Sequence, residues 1–134
     1  MPVHSTTQQS PVGTAILTYS QDFDANGITA GVEFSATSGL KVLSVMIDNR
    51  GNSTNSYLKL WDAAAAPVVG AVTPHFIFRA VAGTRCQYTI DVGTTFTNEI
   101  YGAILGTNAD QSGALTASTT TPANTVTAKL LVTT

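Results

Sequence analysis

YLKLWDAAAAPVVGAVTPHFIFRAVAG, residues 57–83, decides the fold class. It is a short apolar strand, an alanine-proline-glycine connector, a second strand after Pro74, and a turn at Gly83. Its best helix former, Ala63 to Ala66, is closed off by Pro67 and preceded by Asp62, so it has room for one helical turn at most. The chemistry-bearing side chains of the stretch, Lys59, Asp62, His75 and Arg79, stand apart and match no catalytic spacing. Well-patterned β-structure with little chemistry points to a protein whose function lies in its surface.

Working outward, Lys41 to Asp48 (KVLSVMID) is apolar at Leu43, Val45 and Ile47, and a polar loop separates it from Tyr57 to Asp62. That arrangement predicts one antiparallel hairpin. A second is predicted between His75 to Val81 and Arg85 to Val92 across Ala82-Gly83-Thr84, with Phe76, Phe78 and Ala80 toward the core. Ile28, Ala30, Val32 and Phe34 alternate with Thr29, Gly31, Glu33 and Ser35 after an Asn26-Gly27 turn, which reads as a half-buried strand. Asn98 to Leu105 and Thr125 to Val132 give further strands, with a Thr-, Ser- and Gly-rich loop between them. No segment holds a helical period. The expected fold is all-β, an antiparallel β-sandwich or jelly-roll-like barrel with an extended N-terminal arm. Residues 1–27 read as that arm, able to form one short strand at Thr14 to Tyr19, and residues 28–134 as the sandwich domain.

Bulk composition narrows the function classes. The chain has 134 residues, enough for one cored domain, and is 43% hydrophobic, which rules out general disorder. Charged residues make up only 10%, and the net charge is -2 with no basic cluster. Nucleic acid and anionic membrane surfaces both demand a basic patch, so neither is expected as a partner. No apolar run approaches the roughly 18 residues of a membrane helix. Serine and threonine supply roughly a quarter of the chain, so its polarity is mostly hydroxyl. Such a surface suits extended contact with other protein. Cys86 is the one cysteine, which excludes an internal disulfide, and alternation sets it beside Tyr88 and Ile90 as a small buried hydrophobe. Met1-Pro2-Val3-His4 has neither the basic start nor the apolar run of a secretion signal, so assembly in a cytoplasm is expected.

Candidate chemistry is sparse. His4 and His75 are remote from each other and from Cys86, no zinc spacing occurs, and no serine sits in a G-x-S-x-G elbow. Asp48, Asp62, Asp91 and Glu99 could serve a hydrolase only by default, so no catalytic residue and no cofactor is assigned. One motif is literal: Asp22, Asp24, Asn26, Gly27 and Glu33 satisfy D-x-D-x-N-G-x5-E, the calcium-loop pattern. Its flanks read as strands and not the helices an EF-hand needs, so the competing reading is a polar turn feeding a strand. Tyr57 and Trp61 share a strand face opposite Leu58 and Leu60. Exposed, they would offer a stacking platform for a sugar ring; covered, they would pack under the alanine turn or against a neighbouring subunit. Asn52-Ser53-Thr54 matches a glycosylation sequon.

The run Leu58-Lys59-Leu60-Trp61-Asp62-Ala63-Ala64, then Ala66-Pro67-Val68-Val69-Gly70, Thr73-Pro74 and Ala82-Gly83, resembles a segment of small tailed-phage virion proteins. Asn98-Glu99-Ile100-Tyr101 and the Thr-rich end continue the likeness, which covers about residues 40–134 and leaves the first 40 without a counterpart. The resemblance implies a bacteriophage structural protein, a capsid decoration (cement) protein on the virion exterior. It implies binding to the major capsid protein and a homo-oligomer, dimer or trimer. It carries no catalytic residue. Contact with capsid or subunits is then expected from Val3, Val12, Ile16, Tyr19, Tyr57 and Trp61. The alternative expectation is a tail or head-fibre module that binds a host-surface glycan through Tyr57 and Trp61.

Overall fold

The computed structural model describes residues 3–9, 14–106 and 120–134. These form β1 (Val3–Gln9), β2 (Thr14–Gln21), β3 (Val32–Ser35), β4 (Leu40–Asp48), β5 (Ser56–Ala63), β6 (Phe76–Ala80), β7 (Arg85–Phe96), β8 (Glu99–Leu105) and β9 (Val126–Thr133), with no helix among the described residues. The strands make a five-stranded sheet in the order β1-β2-β9-β4-β7 and a four-stranded sheet in the order β3-β8-β5-β6. Every pairing is antiparallel. One core cluster joins Leu17, Val45 and Leu130 of the first sheet to Phe34, Leu58 and Ile104 of the second, so the sheets are two layers of a sandwich. Aromatic pairs cross the layers: Tyr19 lies 4.4 Å from Phe34 and Phe76 5.9 Å from Phe96, ring centre to ring centre.

Neither predicted hairpin forms. β4 and β5 lie in different sheets, as do β6 and β7; the pairs made are β4 with β7 and β5 with β6. The polar loop after Asp48 is thus a crossing between layers and not a hairpin tip. Asn49, with 0% of its surface exposed, holds it in place. Its Nδ2 donates to the carbonyls of Thr54 and Ala80, both at 3.0 Å, while its Oδ1 accepts from Asn52 Nδ2 at 2.9 Å and Ser56 Oγ at 3.0 Å. Its backbone N–H reaches Thr84 O at 2.9 Å. One asparagine therefore binds both crossings together, and the amide groups of a buried loop are satisfied.

The reading of residues 1–27 as an arm is corrected. Val3–Gln9 is a strand paired along its length with β2, and β2 lies inside the sheet between β1 and β9. Leu17 and Tyr19 are core residues, which is why the segment cannot stand apart from the sandwich. Two further strands are shorter or shifted. Only Val32–Ser35 of the predicted 28–35 strand joins β8; Ala30 instead bridges Val68. In β4 a register shift between Val42 and Ser44 accommodates Leu43, so Leu40, Val42, Val45 and Ile47 are the buried set. Cys86 is half-buried against the core beside Tyr88 and Ile90, as alternation predicted.

Candidate functional site

β5 and β8 are apolar on both faces, and the structure shows why. Leu58, Leu60, Ile100 and Ile104 fill the sandwich, while Tyr57, Trp61, Tyr101, Ala103 and Leu105 form a second cluster on the outer side of the four-stranded sheet. Lys59 lies between Tyr57 and Trp61 in the strand and is buried with them. The connector after Ala63 folds back as a roof over this face, with Val69 beneath it. Gly31 N–H donates to Pro67 O at 2.8 Å, Val69 N–H to Thr29 O at 2.9 Å, and the Trp61 indole Nε1 to Val72 O at 2.9 Å. Gly31 is required by the closeness of this approach: a Cβ there would stand 2.7 Å from Pro67 Cγ. The roof is thus tied at its middle and at its end. Its outer side is uncharged, with Ala64, Ala65, Ala66, Val68 (54% exposed) and Val72 (45%) turned to solvent.

At the rim of this face the Tyr101 hydroxyl lies between two carboxylates, 3.1 Å from Glu99 Oε2 and 3.3 Å from Glu33 Oε2. Burial first, then the hydrogen bond and charge of Glu99 and the nearby Glu33, push the phenol up to about 12. It stays protonated at neutral pH and donates to one carboxylate at a time. Alternation sets Glu99 and Tyr101 on one strand face, but only the adjacency of β3 and β8 brings Glu33 to them. That adjacency has no local signal in the sequence.

The residues singled out from sequence fare differently. Trp61 (1% exposed) and Tyr57 (6%) lie under the roof and are not platforms open to a sugar. Tyr19 (1%) is core, its hydroxyl donating to Gln21 Oε1 at 2.7 Å, and so is no surface contact. Ile16 is half-buried, Val3 lies opposite Gln21 in the β1–β2 register, and Val12 lies outside the described residues. The calcium-loop residues do not converge. Asp22 accepts from the Thr125 hydroxyl, Asp24 Oδ1 accepts from Asn26 N–H at 2.9 Å in a local turn, and Glu33 turns to Tyr101. Among the described residues no group of three or more His, Cys, Asp or Glu side chains could hold a metal ion. Asp62 closes the β7–β8 turn by accepting from Thr97 N–H (3.0 Å) and Asn98 N–H (2.8 Å), and its own N–H donates to His75 Nδ1 at 3.1 Å. Asp48 pairs with Arg50 at 2.8 Å, which lowers its carboxyl to about 2. Asn52 is buried and bonded to Asn49 and Asn124, which removes the sequon asparagine from the surface.

No family model matches the chain, and no curated protein does. Among solved structures, it is similar to a carbohydrate-binding module of Cellvibrio mixtus lichenase 5A in complex with cellotriose. That likeness has a TM-score of 0.35 and 12% identity over 99% of this chain and 87% of that one. It is also similar to a chain of infectious bursal disease virus, Gx strain, with a TM-score of 0.24 and 11% identity. That match covers 98% of this chain and 27% of the viral one, so this chain spans about a quarter of its length. At such scores neither likeness bears on function, and the sandwich stands on this chain's own hydrogen bonding.

Proposed function

We propose that this protein is a non-enzymatic decoration (cement) protein that binds the exterior of a bacteriophage capsid and stabilises the shell of major capsid protein. The observation that carries the reading is the roof: an uncharged, solvent-facing strip from Ala64 to Val72, held by the Trp61 indole and by backbone bonds to residues 29–31. An apolar strip whose shape is fixed beforehand loses little entropy on docking, which favours lasting contact with a protein surface. The side chains able to do chemistry support the same reading, because Asn49, Asp62 and Asp22 are engaged in holding loops together. The glycan alternative loses its stacking pair, since Tyr57 and Trp61 face the roof. Quantitative mass spectrometry of purified virions tests the proposal. A copy number equal to, or a simple fraction of, that of the major capsid protein is expected; a handful of copies per particle would overturn it.

A further inference from the structure

The two sheets have four edge strands, and three of them are blunted. β3 has only four residues and a register shift against β8. β6 has five residues, follows Pro74, exposes Arg79, and has the Arg79 carbonyl taken by the Tyr88 hydroxyl. β7 breaks register: its pairing with β4 jumps from Thr89 to Thr94, leaving Ile90 to Gly93 without a partner on β4 and Val92 exposed. Such short lengths, charges and bulges are the devices that keep sheet edges from pairing with other chains.

β1 has none of them. Its seven residues, Val3 to Gln9, pair with β2 without a register shift. The strand contains no proline and no Lys, Arg, Asp or Glu. Among the described residues its other edge pairs with nothing.

We propose that this edge is where two copies of the protein join, β1 against β1, antiparallel about a two-fold axis at Thr6. The two five-stranded sheets then run on as one. Thr6 of one copy lies opposite Thr6 of the other, Ser5 opposite Thr7, His4 opposite Gln8, and Val3 opposite Gln9. Any other register leaves part of the strand unpaired.

A second copy is the occupant for three reasons. A two-fold interface sets each edge against its own image, which a strand without formal charge tolerates and a charged one does not. Thr–Thr and Thr–Ser pairs at the centre are favourable cross-strand neighbours. With one open edge among the described residues of each copy, the assembly closes at two and does not extend into fibres. The association belongs to the isolated protein in solution, so its outcome and that of the capsid proposal are independent.

Sedimentation velocity over micromolar to millimolar concentration tests the interface with the wild type, Thr6→Lys, Thr6→Glu and an equal mixture of the two variants. A monomer–dimer equilibrium is expected for the wild type. Each variant alone should bind itself about tenfold more weakly or worse, because like charges then meet at the axis. Mixing them should restore the dimer, and because Thr6 is exposed both variants keep the fold. A wild type that stays monomeric throughout, including one whose edge takes a strand from a different protein, overturns the proposal, as does an undiminished dimer in either variant. Amide exchange of the wild type needs no substitution: β1 amides should gain protection as concentration rises, and protection independent of concentration overturns the interface.

Discussion

Asn49 and Val92 stand at opposite ends of what one residue does for this fold. Asn49 uses both ends of its amide, donating to two carbonyls and accepting from two side chains, with 0% exposure. Asn49→Ala leaves several buried partners unsatisfied and should lower stability by about 3 kcal/mol or more, read as a shift in the urea midpoint. Asn49→Asp should be at least as damaging, because it sets carboxylate oxygen against the Thr54 and Ala80 carbonyls. Val92 is the opposite case. Its φ is 57°, a left-handed conformation that a β-branched residue resists, and it is 90% exposed with no core contact to compensate. Val92→Asn suits that conformation and should stabilise the protein by about 1 kcal/mol, seen as a raised melting temperature. Gly93 beside it cannot change likewise: its φ is 72°, and a Cβ would stand 2.5 Å from Lys41 Cγ.

Among the elements, β5 and the roof form one unit. Trp61→Phe keeps most of the apolar contact but deletes the N–H that holds Val72 O. Exchange of the Gly31 and Val69 amides, which bond to Pro67 and Thr29, should quicken, while β4 amides remain as protected as before. Equal acceleration in both places would mean the roof does not open on its own. Most strands were legible because their alternation and glycine turns are local, and β2, β5, β8 and β9 lie where the pattern puts them; β1 was not, because Val3–Gln9 has no apolar alternation and reads as an arm. Pairing was not legible. Asn49 to Asn55 has the composition of a hairpin tip, and only its buried contact with Ala80 makes it a crossing. The covered face was half legible: Tyr57 and Trp61 alternating with Leu58 and Leu60 give a strand apolar on both sides, the mark of burial on both. The Glu33–Tyr101–Glu99 cluster was out of reach, since it depends on β3 lying beside β8.

For the whole molecule, alkaline pH is the informative perturbation. Tyr101 is pushed up to about 12, and burial raises Tyr19 as well. The unfolded chain releases both phenolic protons near the ordinary value of about 10, while the folded chain keeps them. Stability should therefore hold below pH 10 or so and decline as pH rises through about 12. Urea midpoints taken across that range should show the decline, and Tyr101→Phe should make it shallower. An unchanged slope in the variant would remove Tyr101 from the account.

One consequence reaches beyond the finished structure. β9 is the last of these strands in the chain, yet it sits in the interior of the larger sheet, bonded to β2 on one side and β4 on the other. Among the described residues no other strand joins those two. During synthesis the β1–β2 pair and the β4–β7 pair therefore cannot join into one sheet until β9 leaves the ribosome. The nascent chain then needs shielding from the synthesis of β2 until that of β9, and its larger sheet is completed only after the other described strands have been made.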